Sequence, residues 1–455
     1  MEQLEAWTGA FVGAVWSLPL IVLLVGAGLI FSLYFGFPQL LMLKNACDIV
    51  RGKFDDPNDP GEISHFQALT TALSATVGLG NIAGVAVAVA AGGPGAVFWM
   101  WITGFIGMCT KFTEVTLALK YREKGETGHM HGGPMFVIKN ALSSKFQWLG
   151  WAYAFFTILS SFGAGNMFQS NQMASIINHS TGVPTWISGL VFATLAFIVL
   201  VGGITRIAQV TSKLVPAMVV LYLGGALYVI LINYAKVPAM FADIFTHAFT
   251  GHAATGAFAG VVVKEVIMQG VRRATFSSEA GMGSAAMAHA AAKSSPIQEG
   301  IVSLLEPLVD TIIVCTITAL ALLITDAWTV PGVEGSEMTA RAFSMGMGPI
   351  GRWIVTIVVT LFAFSTLISW SYYGEQGVTF IFGEKAIPAY RYVFVVFIFL
   401  GAIAQLQVVL NISDGVYGLL ALPNIVACFI LMPKVKNMLV EYKRKLKNGE
   451  IKTFK

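Results

Sequence analysis

Apolar residues run in long unbroken stretches along this chain. They follow neither the alternation of a half-buried sheet nor the one-faced stripe of a soluble helix. A helix needs about 20 apolar residues to cross a hydrocarbon layer. Eleven such helices are predicted, over 15–44, 64–92, 96–121, 148–178, 184–202, 210–234, 258–291, 298–325, 350–382, 388–410 and 415–433. The 258–291 segment departs from the pattern. It carries Lys264, Glu265, Arg272, Arg273 and Glu279, and reads as a surface helix leading into a shorter, broken span. The expected fold is an all-α polytopic membrane domain.

Composition agrees. Of 455 residues, 56% are hydrophobic and only 11% charged, against about 25% charged in a soluble protein. This excludes an ordinary soluble enzyme, a disordered chain and a nucleic-acid binder, and makes lipid the expected surroundings. The four cysteines, Cys47, Cys109, Cys315 and Cys428, lie in or beside apolar stretches, as small buried hydrophobes do. The first ten residues carry two acids and no base, so the first apolar helix is expected to be retained rather than cleaved as a signal peptide. No G-x-S-x-G, P-loop or H-E-x-x-H occurs, which argues against a membrane protease or an ATP-driven pump.

Basic residues fix an expected orientation. Lys44, Arg51, Lys53, Lys120, Arg122, Lys124 and a basic tail over 434–455 fall on one side, whereas Lys236, Arg341 and Arg352 fall on the other. The N-terminus is expected outside, and eleven spans then leave the C-terminus in the cytoplasm.

The chain also repeats itself at an offset of 203. SATVGLGNIA (Ser74 to Ala83) falls on SSEAGMGSAA (Ser277 to Ala286), so Gly78 and Gly80 fall on Gly281 and Gly283. The offset continues from Thr157 to Thr360 and from Gln172 to Glu375. Five spans separate the copies, and an odd number inverts one relative to the other. Inverted repeats with Gly-interrupted helices mark secondary transporters. A single Gly-x-Gly is more often close helix packing; two in matching positions point to alternating access.

A helix broken at Gly78–Gly80 presents the positive end of its second half to a carboxylate. It also frees carbonyls near Ser74, Ala75 and Val77 for a hard cation. Irregular backbone at membrane depth is tolerated where it lines a cavity. Side-chain oxygens at Thr76, Asn81, Ser277, Ser278, Ser365, Thr366 and Ser369 lie in the same segments. For any one hydroxyl, the competing role is a bond to the carbonyl four residues earlier. Phe168 and Gln172, four apart, share one face of the fourth span, an aromatic wall beside an amide; lipid contact and an interhelical bond are the plainer roles. Phe276 and Trp370 are candidate walls.

The stretches TALSATVGLGNIAGVAVAVAAGGPGAVFWMW, GHMHGGPM and ATFSSEAGMGSAAMAHAAA resemble the alanine-or-glycine:cation symporter family over nearly the whole chain. The string VGLGN (Val77 to Asn81) is also similar to one in sodium-coupled neurotransmitter transporters. The resemblance implies the fold of the bacterial leucine transporter, with an extra helix at 15–44 and two inverted five-helix repeats at 64–234 and 258–433. It implies that Gly78 and Gly80, with Gln172, meet the substrate carboxylate. Thr76, Phe276, Ser277 and Thr366 meet the ammonium, and Phe168, Phe276, Met282 and Trp370 enclose the side chain. One sodium ion is implied at Ser74, Val77, Phe362, Ser365 and Thr366, and a second at Thr76, Asn81 and Ser277. The chain departs from those relatives where Phe168 and Gln172 replace a tyrosine, and where Glu279 replaces a hydroxyl.

Charges within spans are costly and suggest function. Lys111 and Glu114, three apart, are expected to pair. Glu279 beside the second break has three candidate roles, tuning cation affinity, carrying a proton and holding unwound backbone, of which the last is favoured. Glu306 and Asp310, one turn apart, form a like-charged pair suited to a proton path. His129 and His131 lie in a loop expected to gate rather than to bind metal. The expected function is sodium-driven import of alanine and glycine across the cell membrane, not enzymatic catalysis. Proton-coupled import is the alternative, and an intramembrane enzyme or channel the reading from another class.

Overall fold

The computed structural model describes residues 2–56, 59–250, 259–330, 333 and 335–454. It is almost entirely helical; the strands Glu123–Lys124 and Met130–His131 form one short antiparallel hairpin. Among the described residues, seven helices are long and apolar enough to cross a membrane, or eight if a bent pair counts as one span. The bent pair is His65–Thr76 with Gly80–Gly92, broken at 47°. Large apolar side chains such as Leu195, Ile198, Val220, Leu231 and Trp353 face outward, as lipid contact requires.

Several boundaries differ from expectation. The first long apolar helix covers Glu5–Phe35 rather than 15–44. Gly36 ends it with a left-handed φ of 73°, and Pro38 opens a separate short helix. The expected 388–410 span stops at Ile403. The amide of Asn171 donates to the carbonyls of Gly401 and Ala404 at 3.1 and 2.7 Å, so the broken end is satisfied. A helix at Leu406–Gly418 follows, and the next, Ala421–Lys447, continues through Pro433 into the basic tail. Residue 258, where the seventh span was expected to begin, lies outside the described residues. Helices at Val237–Thr250 and Gly335–Met347 were not expected. Each is too short to span a bilayer. The second lies over the first break, with Thr339 donating to the Ile82 carbonyl.

The unbroken helix Pro349–Phe382 packs against the first half-helix, His65–Thr76, and against Gly203–Ile232. The long helix Gly95–Lys120 packs along Ala259–Ser278 and Pro296–Ser303. The two broken helices are thus each backed by a continuous one. Of the cysteines, Cys109, Cys315 and Cys428 are buried, but Cys47 is exposed, contrary to expectation.

Candidate functional site

The first half-helix starts at a capping box, Ser64 with Gln67, which satisfies two end groups reciprocally. It ends at Val77, whose ψ of 89° leaves the helical region. Asn81 then caps the break from the other side: its Oδ1 accepts from the Gly78 N–H at 2.8 Å. Close neighbours favour glycine at both positions, most strongly at Gly78. A Cβ on Gly78 would collide with the Thr366 hydroxyl, and one on Gly80 would lie 3.2 Å from the Ser277 Cα. The first break therefore touches both the unbroken helix and the second broken helix.

The second break turns on three left-handed residues, Glu279 (φ 56°), Gly281 (φ 93°) and Gly283 (φ 74°). Only the glycines adopt this without strain. Its freed backbone is held from other helices. The Gly281 N–H donates to Glu114 Oε1 at 2.9 Å, Asn424 donates to the Gly281 carbonyl at 2.8 Å, and Tyr153 donates to the Met282 carbonyl at 2.7 Å. The backbone-holding role expected of Glu279 thus falls to Glu114. Glu279 Oε2 accepts from the Ser284 hydroxyl at 2.5 Å.

Between the breaks lies a small cavity of about 10 Å³. Thr76, Gly78, Gly80, Phe276, Thr366 and Trp370 line it together. Gln169, Glu279 and Tyr417 line it as well; of these, sequence reasoning missed Gln169 and Tyr417 as wall residues. Phe168 and Gln172 do share a face, but it borders a neighbouring chamber with Arg273 and Gly335. Gln172 Oε1 accepts there from Ser336 at 3.0 Å. Phe168 meets Phe276 edge to face, ring centres 6.0 Å apart, and this pair stands between the two chambers.

Oxygens gather on one flank of the first break. The Thr366 hydroxyl donates to the Ser74 carbonyl at 2.9 Å, the Ser74 hydroxyl to the Ser365 carbonyl at 2.8 Å, and the Ser365 hydroxyl to the Phe362 carbonyl at 2.9 Å. The other flank carries a second polar node. The Asn81 amide donates to Ser277 Oγ at 3.0 Å and to Asp310 Oδ1 at 2.7 Å, and Ser277 donates to Asp310 Oδ2 at 2.8 Å. Thr76 stands apart from this node, its hydroxyl bonded back to the Ala72 carbonyl at 3.1 Å.

Other intramembrane charges pair differently from expectation. Lys111 donates to Glu306 at 2.8 Å, not to Glu114. Glu306 and Asp310 do not share a proton site, because each has its own partners: Lys111 and His289 for the first, Asn81, Ser277 and Thr311 for the second. A π-helical stretch, Leu308–Val314, follows Glu306 and shifts the register. In the 122–134 loop, His129 pairs with Glu62 and His131 with Glu384, each at 2.7 Å, so the two rings do not converge.

Broken helices crossing at an enclosed cavity belong to a known architecture. MhsT, solved in complex with L-phenylalanine, superposes with a TM-score of 0.55 over 82% of this chain and 99% of its own, at 14% identity. The fold is that of the leucine transporter. Residues 1–455 match the model of the sodium:alanine symporter family; the chain belongs to that family and is a multi-pass membrane transporter, not an enzyme. It is 43% identical to the sodium/alanine symporter AgcS of Methanococcus maripaludis, over 92% of both chains. It is 39% identical to an uncharacterized transporter of Haemophilus influenzae, over 98% of this chain and 97% of the other.

Proposed function

We propose that this protein imports alanine, and glycine with it, by sodium symport through alternating access. The observation that carries this reading is the cluster of Ser74, Phe362, Ser365 and Thr366 oxygens beside the enclosed cavity. Hard cations take carbonyl, hydroxyl and carboxylate oxygens. The sodium ion is assigned to the Ser74, Val77 and Phe362 carbonyls with the Ser365 and Thr366 hydroxyls. A second sodium is assigned to the Asn81–Ser277 node, with Thr76 brought to it by rearrangement.

The substrate carboxylate lies at the half-helix that begins at Gly80, where the helix dipole favours negative charge. Gln172 joins it when the Phe168–Phe276 pair opens. The ammonium meets Thr76, Ser277 and Thr366, and Phe276 and Trp370 cap the methyl group. Small enclosed space between aromatic walls selects a small amino acid. The sodium bound across Ser74 and Thr366 ties the first broken helix to the unbroken one, so cation occupancy sets when the bundle rocks. Membrane potential supplies about 2.3 kcal/mol per charge at 100 mV.

This reading carries eleven spans, with the helix Glu5–Phe35 outside two inverted repeats at 64–234 and 258–433, and the tail at 434–455 in the cytoplasm. The N-terminus is outside. Support comes from the constant offset between the two Gly-x-Gly breaks and from their mutual contact at Gly80 and Ser277.

The test is labelled alanine uptake into proteoliposomes, with and without an inward sodium gradient, and in sodium-free buffer under a proton gradient. Sodium-dependent, saturable uptake that glycine competes away is expected. Uptake driven by protons alone would replace sodium as the coupling ion; no uptake with either would remove the substrate assignment.

A further inference from the structure

A single file of six ionisable side chains runs apart from the substrate cavity. At its inner end Lys111 Nζ donates to Glu306 Oε2 at 2.8 Å. Glu306 Oε1 meets His289 Nε2 at 2.7 Å, and His289 Nδ1 meets Glu299 Oε1 at 2.7 Å. Glu299 Oε2 contacts His65 Nδ1. His65 Nε2 faces Asp55 Oδ1 at 3.5 Å, the longest step. Lys111, Glu306, His289 and Glu299 are wholly buried, His65 nearly so, whereas the Asp55 side chain is 46% exposed. The file therefore runs from the protein interior to solvent.

Stability is a weak reason for this arrangement. Buried ion pairs are often no better than well-packed apolar side chains of the same volume. A brace also needs only pairs, whereas here acids and bases alternate, in hydrogen-bond contact from Lys111 to His65 and then across a 3.5 Å step to Asp55. Both nitrogens of His289 and both oxygens of Glu299 and Glu306 are hydrogen-bonded, while His65 bonds through Nδ1 and turns Nε2 towards Asp55. An imidazole so placed accepts a proton on one nitrogen and releases one from the other, the property that makes histidine a proton shuttle.

We propose that this file is a proton path joining the membrane interior at Lys111 to the surface at Asp55. The Lys111 ammonium gives a proton to Glu306. Glu306 passes one to His289 Nε2 as His289 Nδ1 releases its own to Glu299. Glu299 passes one to His65 Nδ1 as His65 Nε2 releases its own to Asp55 and solvent. One proton leaves Lys111 and one appears in solvent; only N–H and O–H bonds form or break, and the reverse sequence restores the ammonium.

The surroundings give the path a task. Glu114, Glu279 and Asp310 lie within electrostatic reach of Lys111, and Tyr373 lies near Glu306. Asp59 and Arg122 stand near the outer end. Glu279 lines the substrate cavity and Asp310 carries the Asn81–Ser277 node. A cation arriving beside these carboxylates repels the Lys111 ammonium and drives its proton out. This inference goes beyond sodium symport and takes the cation from that reading.

The experiment adds sodium chloride, against choline chloride, to purified full-length protein in weak buffer with a pH-sensitive dye. The proton signal is followed by stopped flow, and retention of labelled sodium is measured in parallel. Proton release on sodium addition is expected in the wild type. In His289→Gln it should slow at least tenfold while labelled sodium is still retained. His65→Gln serves as the second variant, near the surface end. Sodium retention without proton release overturns the path and leaves the symporter reading standing. Neither signal overturns both. Equally fast release in wild type and variants overturns the path, and so does loss of sodium retention in both variants, which would make the file a brace.

Discussion

The Thr366 hydroxyl, midway along an unbroken helix, donates to the Ser74 carbonyl in the last turn of the first half-helix, 2.9 Å away. Ser74 returns the contact through its own hydroxyl to the Ser365 carbonyl. Replacing Thr366 by Val keeps the shape and removes the donor and one proposed sodium ligand. Leaving a buried partner unsatisfied costs about 1–3 kcal/mol, and each 1.4 kcal/mol is about tenfold in affinity. Thr366→Val should raise the sodium concentration for half-maximal uptake roughly tenfold, with Thr366→Ser close to wild type. An unchanged sodium response in uptake assays would remove Thr366 from the cation site.

Gly78 and Gly80 differ in how closely their surroundings approach. A methyl group on Gly78 meets the Thr366 hydroxyl, which the Ser74 carbonyl already holds in place, whereas one on Gly80 stands 3.2 Å from Ser277 Cα. Overpacking of this kind costs about 1–3 kcal/mol. Gly78→Ala should therefore impair alanine uptake more than Gly80→Ala, and Gly80→Leu should abolish it by filling the cavity. Uptake rates at equal membrane expression decide the order; Gly80→Leu transporting normally would move the carboxylate elsewhere.

The second break is braced from outside the cavity. Asn424 donates both to Glu114 Oε1, at 2.6 Å, and to the Gly281 carbonyl. Asn424→Leu strips both acceptors of this donor in a fully buried place, at a cost of about 1–3 kcal/mol. The expected result is a lower Tm in detergent with the sodium dependence of uptake retained. A variant as stable as wild type would show that the break holds itself.

The parts legible in the sequence are those with a strong local cause. Gly78-x-Gly80 beside Asn81 signalled a break because glycine permits it and a buried amide needs partners, and the structure bends there. The offset of 203 led to Gly281 and Gly283, both left-handed in the structure. Helices at Val237–Thr250 and Gly335–Met347 were not legible, because they are short and mix polar with apolar residues. Gln169 was missed although Gln172 was named. The spacing of Phe168 and Gln172 fixes that they share a face, not which chamber the face borders. A clue lay in Gly163-Ala-Gly165: small residues admit the π-helical stretch Gly163–Met167 and close approach to Trp370, and Gln169 bonds to the Ala164 carbonyl freed there. Pairing of Lys111 with Glu306 joins residues 195 apart in sequence, which no local spacing reveals.

Asp59, in the loop before the first half-helix, offers a pH test outside the membrane. Burial raises its carboxyl above the ordinary value, the carboxylates of Asp56 and Asp55 push the same way, and His65 and Arg122 oppose. A carboxyl whose folded pKa lies above its unfolded one binds its proton more tightly when folded. Folding is then penalised once the group ionises, and the penalty fades as pH falls through the raised value to the ordinary one. Asp59→Asn removes the penalty. The variant should unfold at a higher temperature than wild type at neutral pH. The difference should shrink on acidification and vanish below about pH 4, the ordinary range for Asp. Thermal unfolding of both proteins from pH 7 to pH 4 measures this. A variant that unfolds at a lower temperature than wild type at neutral pH, with the gap closing on acidification, would mean that the ionised carboxylate is held by Arg122 and stabilises the loop.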